Sequence, residues 1–161
     1  DGTGTLISGE IYEGLRPAAI DDVGGILKLI APLEAEGVLV KRSRELLEME
    51  IDHFLIVKRD GMIIACAALY SYDDSIGELA CLTVHGDYRC SGRGDSLLEA
   101  VEHRARQNGM KRLFVLTTQA SHWFRERGFK NVDISKLPVK KRDLYNYRRK
   151  SKVFIKQLQS P

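Results

Sequence analysis

The sequence predicts an α/β domain, because strand-like runs alternate with amphipathic helical segments along the chain. Three observations support this class: apolar residues at helical spacing after Asp22, two strand-like runs joined at Asp60-Gly61, and a strand, glycine turn and helix around Gly92. A chain of 161 residues with 43% hydrophobic side chains has enough apolar surface for one core. We expect one domain at residues 13–161, and the turn-prone start of the chain predicts a linker at residues 1–12.

Two helices are predicted before the first strand. Asp21 or Asp22 caps the first helix, which ends before Pro32, and Ser43 caps the second. The inward positions are Val23, Ile26, Leu27 and Ile30 in the first helix, and Leu46, Leu47 and Ile51 in the second. Each helix therefore turns one apolar face towards the core.

The first strands form a predicted hairpin. Residues 54–58 and 62–72 are strand-like runs, and Asp60-Gly61 between them is a strong hairpin signal. A further turn at residues 73–77 leads into residues 78–84, a short apolar run compatible with a buried central strand. We predict an antiparallel pair followed by that strand.

The later elements follow a glycine turn. A helix is predicted from about Asp95, then a strand at residues 113–118 and a short helix at residues 121–127 that ends at Gly128. Residues 129–132 and 152–158 are late strands. The centre of the chain is thus a strand, a glycine turn, a helix and a strand.

The turn before the long helix is suited to binding an anion. Gly92 and Gly94 permit close backbone approach, Arg89 and Arg93 supply positive charge, and the helix start offers N–H groups. The turn is not a Walker A loop, because no Gly-Lys-Ser/Thr closes it. It is not a dinucleotide fingerprint, because Leu97 stands where the third glycine belongs. An ordinary strand-to-helix turn is the alternative interpretation.

Two motifs in this region resemble those of the GNAT acetyltransferases. Arg89-x-x-Gly92-x-Gly94 is similar to motif A of that family, and residues 122–129 are similar to motif B. Longer strings resemble the acetyltransferase half of bacterial-type N-acetylglutamate synthases, at residues 64–70, 77–81, 113–118 and 144–152. This resemblance implies a central mixed, mostly antiparallel sheet of six or seven strands with helices on both faces.

The resemblance also implies a reaction, direct transfer of the acetyl group of acetyl-CoA to the α-amino group of L-glutamate in arginine biosynthesis. It implies an amino-acid-kinase-like domain before residue 1, which in the family carries arginine regulation and much of the oligomer contact, and a homo-oligomer at full length. The residues expected to contact the cofactor are Cys81, Leu82, Thr83, Val84, Arg89, Cys90, Ser91, Gly92, Arg93, Gly94, Asp95, Trp123 and Phe124.

Acylation of an amine requires a base, an oxyanion site and an acid. Glu78 is the candidate base, because an ammonium group must lose a proton before it attacks; a strand-edge carboxylate paired with a basic side chain is the alternative. Backbone N–H groups at residues 81–84 are expected to stabilise the oxyanion. GNAT enzymes often use a motif B tyrosine as the acid, but tryptophan and phenylalanine occupy those positions here. Thr117, Thr118 or solvent is the expected acid.

A dicarboxylate acceptor requires basic side chains, and arginine suits a carboxylate best. The candidates for binding the acceptor are Lys41, Arg42, Arg44 and Arg149, with Arg42 and Arg149 preferred, and a solvated surface position is the alternative for each. Cys81 is not expected to form an acetyl-enzyme, since no histidine is spaced to activate it. The scattered histidines predict no metal site.

Two other functions are compatible with the sequence. One is a GNAT acetyltransferase with another acceptor, such as a protein N-terminus, a lysine or a small amine. The other is a nucleic-acid-binding module that uses the basic residues between 136 and 156, although it leaves the glycine turn unexplained. Three cysteines without C-x-x-C pairing favour a reducing, cytoplasmic compartment, or a plastid in a plant. The apolar runs are shorter than a membrane span.

Overall fold

The computed structural model describes residues 14–72, 75–143 and 151–158. Several predictions made above lie outside the described residues. They concern the linker at residues 1–12, part of the turn at residues 73 and 74, the string at residues 144–150 and the candidate Arg149 within it.

The described strands form one mixed sheet. They are β1 (Leu15–Pro17), β2 (Phe54–Arg59), β3 (Met62–Tyr72), β4 (Ile76–Val84), β5 (Arg112–Thr117), β6 (Lys130–Val132) and β7 (Lys152–Gln157). Their spatial order is β1-β2-β3-β4-β5-β7-β6. Neighbouring strands are antiparallel except β4 and β5, which are parallel. The predicted mixed, mostly antiparallel sheet of six or seven strands is confirmed.

Helices cover both faces of this sheet. The described α-helices are α1 (Val23–Ala35), α2 (Arg44–Glu50), α3 (Arg93–Gln107), α4 (Ser121–Glu126) and α5 (Val139–Asp143). Successive side chains of a strand point to opposite faces. Ile56 of β2 accordingly joins the apolar cluster of α1 and α2, whereas Val57 joins that of α3. The expected arrangement of helices on both faces is therefore confirmed.

Helix α1 is longer than predicted. It continues through Pro32 to Ala35, so the predicted end before Pro32 is wrong. A proline removes one N–H donor but keeps its carbonyl as an acceptor. The N–H of Glu36 donates to the Pro32 carbonyl oxygen at 3.1 Å, which completes the last turn.

The first turns of α1 and α2 differ in how they are capped. Asp22 precedes α1 but its carboxylate does not cap the helix, because it accepts hydrogen bonds from Arg16 at 2.9 and 3.1 Å. The predicted cap of α2 is confirmed, since Ser43 Oγ accepts from the Leu46 N–H at 3.1 Å. The Leu46 side chain is 37% exposed and Leu47 is fully buried, so the inward position predicted for Leu46 is wrong. In α2 the Leu47 side chain faces the core, and the Leu46 side chain, about 100° further round the helix, faces outward.

The hairpin prediction is confirmed. Asp60 and Gly61 have φ angles of 51° and 78°, and two consecutive left-handed residues are the geometry of a tight two-residue hairpin turn. Two short elements were not predicted, β1 and α5. Three and five residues are too few to show a hydrophobic period. Among the helices that the structure describes, none has the length and apolar character to cross a membrane.

Candidate active site

A cleft opens between β4 and β5. Their parallel pairing joins residues 76–78 to residues 112–114, and among the described residues it ends at Glu78. Both strands continue beyond this point, and there each keeps the neighbour on its other side, β3 for β4 and β7 for β5. The two strands therefore separate after Glu78, and the cleft begins beside this carboxylate.

The cleft gathers most of the residues predicted to contact a cofactor. Its volume is ≈ 550 Å³, and its walls come from β4, the turn after β4, β5 and α4. The predicted residues in its lining are Cys81, Leu82, Thr83, Val84, Arg89, Gly92, Gly94, Asp95, Trp123 and Phe124. Arg93, Cys90 and Ser91 belong to the same turn, although the side chains of the last two lie outside the described part of the chain. Both sequence motifs thus meet at one cleft.

A β-bulge shapes the wall of the cleft at Cys81. Cys66 pairs with Thr83 and Ala68 with Ala80, so Cys81 and Leu82 together oppose one residue of β3. Cys81 has a φ angle of 59°, a left-handed conformation that costs a non-glycine residue about 1 kcal/mol or more. The backbone at the bulge leaves the regular ladder where oxyanion donors were predicted.

The turn after β4 ends in the first turn of α3. Gly92 has a φ angle of 79°, and a Cβ there would meet no atom within 4 Å, so the left-handed conformation is what favours glycine. The Ser96 N–H bonds back to the Gly92 carbonyl oxygen at 3.0 Å, and the N–H groups before it lie at the open end of the helix. The helix dipole adds partial positive charge at this end. The arrangement suits an anion such as a pyrophosphate.

Helix α4 is tied to this turn through Trp123. A Cβ on Gly94 would lie 3.3 Å from the Trp123 ring, so only glycine leaves the observed spacing relaxed. The Arg127 guanidinium lies 4.0 Å from the centre of the same ring and donates to Asp95 at 2.6 and 3.2 Å. This pairing with Arg127 lowers the pKa of the Asp95 carboxyl.

Glu78 directly precedes Leu79, which lines the cleft, and the Glu78 side chain, itself outside the lining, is only 8% exposed. Its Oε1 accepts a hydrogen bond from the Tyr72 hydroxyl at 3.1 Å and lies 3.2 Å from the Lys141 Nζ. Burial raises the pKa of Tyr72, and the Glu78 carboxylate raises it further, so the tyrosine is the donor. The alternative of a carboxylate paired with a basic side chain is thus observed. The pair is nevertheless buried beside the cleft, where a base would be needed.

Arg42 is the candidate acceptor residue that reaches this region. Burial by itself lowers the pKa of its guanidinium, but the neighbouring Cys81, Tyr70 and Glu78 raise it more, so the net shift is upward. The Arg42 backbone N–H donates to Glu34 Oε2 at 2.8 Å, which fixes the loop between α1 and α2. A positive charge is therefore held close to the candidate base.

The other acceptor candidates lie elsewhere. Lys41 and Arg44 are exposed and do not line the cleft, and Arg44 lies 3.9 Å from Glu48, one turn later on α2. Arg149 lies outside the described residues. Within the described chain, Arg42 is the acceptor candidate that the fold brings near Glu78.

The two threonines proposed as acids differ in position. Thr117 lines the cleft, where its hydroxyl donates to the Gln119 carbonyl oxygen and accepts from the Gln119 N–H at 3.1 Å. Thr118 is exposed and does not line the cleft. Thr117 is therefore the better positioned candidate.

Cys81 has a polar environment that its sequence context did not reveal. A hydrogen bond with the Cys66 thiol lowers the pKa of Cys81, burial opposes this shift, and the Arg42 charge adds to it. The hydrogen bond and burial raise the pKa of Cys66. Both cysteines are free thiols, and no histidine is present among the described residues that line the cleft.

Tyr72 and Lys141 were not among the predicted site residues. In the β3–β4 register Tyr70 is opposite Glu78, and Tyr72, two residues further along the same face, is diagonal to Glu78, so this register was the available signal for Tyr72. Lys141 lies on α5, far along the chain, and had no such signal. In residues 14–72, 75–143 and 151–158, no group of three or more metal-binding side chains is arranged to hold an ion.

The sheet that splits after Glu78, the bulge at Cys81 and the cleft beside the N-terminus of α3 are features of the acyl-CoA N-acyltransferase fold. The chain belongs to the GNAT acetyltransferase family, whose model, described as Acetyltransferase (GNAT) family, matches residues 25–129. The resemblance of the two motifs to motifs A and B is thereby confirmed.

The proteins similar to this chain include amino-acid acetyltransferases and an N-acetylglutamate synthase. The chain is 62% identical over 159 residues to the amino-acid acetyltransferase of Azotobacter vinelandii and 60% identical to that of Pseudomonas fluorescens. These alignments cover 98% of this chain and 37% of each relative, so the chain spans well under half of their length. The N-acetylglutamate synthase of Neisseria gonorrhoeae, solved with coenzyme A and N-acetyl-glutamate, superposes with a TM-score of 0.87 at 39% identity. That match covers 90% of this chain and 35% of the synthase.

Proposed function

We propose that this chain is the acetyltransferase domain of an N-acetylglutamate synthase, which moves the acetyl group of acetyl-CoA to the α-amino group of L-glutamate. One observation carries the proposal: a buried Glu78, with Arg42 beside it, lies at the last rung of the β4–β5 pairing, one residue before Leu79, where the cleft that leads to the anion-binding turn begins. The 62% identity to an amino-acid acetyltransferase supports the same acceptor class.

The cleft fits acetyl-CoA as the co-substrate. The turn at Gly92 and the start of α3 offer N–H donors and a positive dipole end for the pyrophosphate. The separated edges of β4 and β5 offer a narrow slot lined by Leu79 and Val115, which suits the pantetheine arm. The bound coenzyme A of the Neisseria structure supports this assignment.

The transfer chemistry requires two proton movements at the acetyl group, one from the attacking amine and one to the departing sulfur. Glu78 accepts the proton that the acceptor amine must lose, directly or through water. The bulged backbone at residues 81 and 82 stabilises the oxygen that becomes negative during transfer. Thr117, whose hydroxyl lines the cleft, or solvent protonates the departing thiolate. The thiol of Cys81 pairs with Cys66 rather than with a histidine, which favours direct transfer without an acetyl-enzyme.

The rest of the protein is also part of the proposal. The relatives are longer than this chain, and we infer that a kinase-like domain joins through residues 1–12 in the complete protein and contributes to a homo-oligomer. We assign the protein to a reducing compartment such as the cytoplasm, because Cys66 and Cys81 are adjacent free thiols.

The principal competing function is a GNAT enzyme with another amine acceptor. We would measure release of free coenzyme A from acetyl-CoA with L-glutamate, other amino acids, polyamines and basic peptides. Glu78→Gln would be compared with the control Glu45→Gln, which changes an exposed carboxylate on α2. We expect turnover that depends on glutamate and a kcat that Glu78→Gln lowers by about 10² or more, while the control is unchanged.

Other outcomes would contradict parts of the proposal. Acetylation of a peptide or polyamine in place of glutamate would leave the fold and the cofactor cleft intact and overturn the acceptor. Binding of coenzyme A without turnover of any acceptor would show that this chain does not carry a complete active site. An intact mass increased by one acetyl group, after incubation with acetyl-CoA alone, would overturn direct transfer.

A further inference from the structure

The carboxylate of Glu78 is held by two donors on the same oxygen. The Tyr72 hydroxyl lies 3.1 Å and the Lys141 Nζ 3.2 Å from Oε1. Glu78 is 8% exposed and Lys141 is 21% exposed, so the contact is largely shielded from water. A shielded charge-assisted contact is stronger and better oriented than a surface ion pair, which contributes little.

Tyr72 is held in place by the core. Its ring packs against Phe114 with centroids 5.6 Å apart, and Phe114 is fully buried. Phe114 is also the residue of β5 that pairs with Glu78 at the last rung before the strands separate. The tyrosine hydroxyl is thus fixed relative to the base by the same packing that begins the cleft.

Lys141 is positioned by a later part of the chain, helix α5 and the residues before it. Helix α5 follows Leu137, which is buried in a cluster with Phe114, Ile76 and Val153. This cluster sets the distance between the start of α5 and the end of the parallel pairing. The lysine therefore approaches Glu78 from a helix that begins two residues after Leu137, and Leu137 is buried in the same cluster as Phe114.

We propose that Tyr72 and Lys141 are positioning residues for Glu78. Two donors on Oε1 fix the rotamer of the carboxylate and direct its other oxygen towards the acceptor amine. The Lys141 charge also balances the buried negative charge of the base. The proposal deepens the proposed function and rests on it in one respect, the role of Glu78 as the base. It does not depend on which amine is the acceptor.

Three substitutions test the proposal in the full chain. Tyr72→Phe removes the hydroxyl and keeps the ring against Phe114. Lys141→Met removes the charge and keeps the aliphatic stem, and Lys141→Arg restores a cationic donor. The matched control is Lys140→Met, which changes the exposed lysine directly before Lys141 on α5. Steady-state kinetics would use whichever amine the wild-type chain acetylates.

We expect Tyr72→Phe and Lys141→Met each to lower kcat about tenfold with both KM values within about twofold of wild type. Lys141→Arg is expected to recover most of the loss, and Lys140→Met to match wild type. In the Glu78→Gln background, the same two substitutions are expected to change kcat less than twofold, because the residues act through Glu78.

Three results would overturn the proposal. An equal loss in the Glu78→Gln background would mean that the two residues act independently of the carboxylate. A raised acceptor KM with an unchanged kcat would make Lys141 an acceptor-binding residue. A lowered melting temperature with unchanged kinetics would make the contacts structural. A fully active Glu78→Gln single variant would instead disprove that Glu78 is the base. Acetylation of a different amine would disprove only that glutamate is the acceptor.

Discussion

The polar side chains around Glu78 are paired with one another through charge interactions and hydrogen bonds. Arg42 lies near Tyr70 and Glu78, and the Tyr70 hydroxyl donates to Glu50 Oε1 at 2.7 Å. Burial raises the pKa of Tyr70, the hydrogen bond to Glu50 raises it further, and the Arg42 charge opposes both. Buried polar groups are costly unless paired, and such a density of paired groups is typical of functional sites.

Arg42 is expected to bind a carboxylate of the acceptor. Arg42→Ala should raise the KM for glutamate at least tenfold and leave the KM for acetyl-CoA within about twofold, because a charge-assisted hydrogen bond contributes about 1.5–3 kcal/mol. The control is Arg59→Ala, at an exposed position on β2. Steady-state titration of each substrate in turn would separate the two constants. A change confined to the KM for acetyl-CoA would refute this role.

At the scale of elements, the site depends on how α3 and α4 meet. Gly94 in the first turn of α3 leaves room for Trp123, and Arg127 binds Asp95 across the gap. The pKa of Asp95 is lowered by Arg127, so the pair is formed at neutral pH and persists until the pH falls below the ordinary carboxyl range. These contacts shape the end of the cleft beside the turn at Gly92.

A methyl group at Gly94 should disturb the packing of the glycine turn against Trp123. We expect Gly94→Ala to weaken coenzyme A binding about tenfold, because the added carbon would press on the Trp123 ring at 3.3 Å and narrow the turn. Gly86→Ala is the matched control, since a Cβ there meets nothing within 4 Å. Isothermal titration calorimetry of coenzyme A would compare the two variants. Equal affinities for both would show that Gly94 does not line the bound cofactor.

At the scale of the whole molecule, the sheet separates two apolar clusters, one on each face, and the short strand β1 lies at its edge. The ion pair of Arg16 and Asp22 joins edge strand β1 to the start of α1. Asp22 is only 4% exposed, and it also accepts from the Ala19 N–H at 2.8 Å. The Asp22 carboxylate therefore fixes strand β1 to the first turn of α1.

The stability contributed by Asp22 should depend on pH in a defined direction. Its hydrogen bonds with Arg16 lower the pKa of Asp22, so its stabilisation is fully present above the unfolded value of about 3.9 and is lost as the pH falls through the lower folded value. Asp22→Asn should cost about 1 kcal/mol at pH 7, a low figure because Arg16 is 42% exposed. Urea unfolding at pH 7 and pH 3 would measure it. The control is exposed Asp21→Asn, and a loss that did not shrink at pH 3 would contradict the linkage.

The sequence by itself determined most elements of this protein and the glycine turn before α3. The hairpin at Asp60-Gly61, the Ser43 cap and the glycines before α3 are local features, because turn dihedrals, capping and hydrophobic period depend on a few consecutive residues. Three local predictions failed: the end of α1 before Pro32, its cap by an aspartate, and the inward position of Leu46.

Only the tertiary structure decided which polar side chains meet. The contacts of Glu78 with Lys141 and of Asp95 with Arg127 join residues that are far apart in the chain, and no local preference encodes them. Among the acceptor candidates, burial and the field of Glu78 and Tyr70 distinguished Arg42 from its exposed neighbours. Such contacts arise because the parallel pairing of β4 and β5 ends at Glu78, and that end point depends on how the whole sheet is assembled.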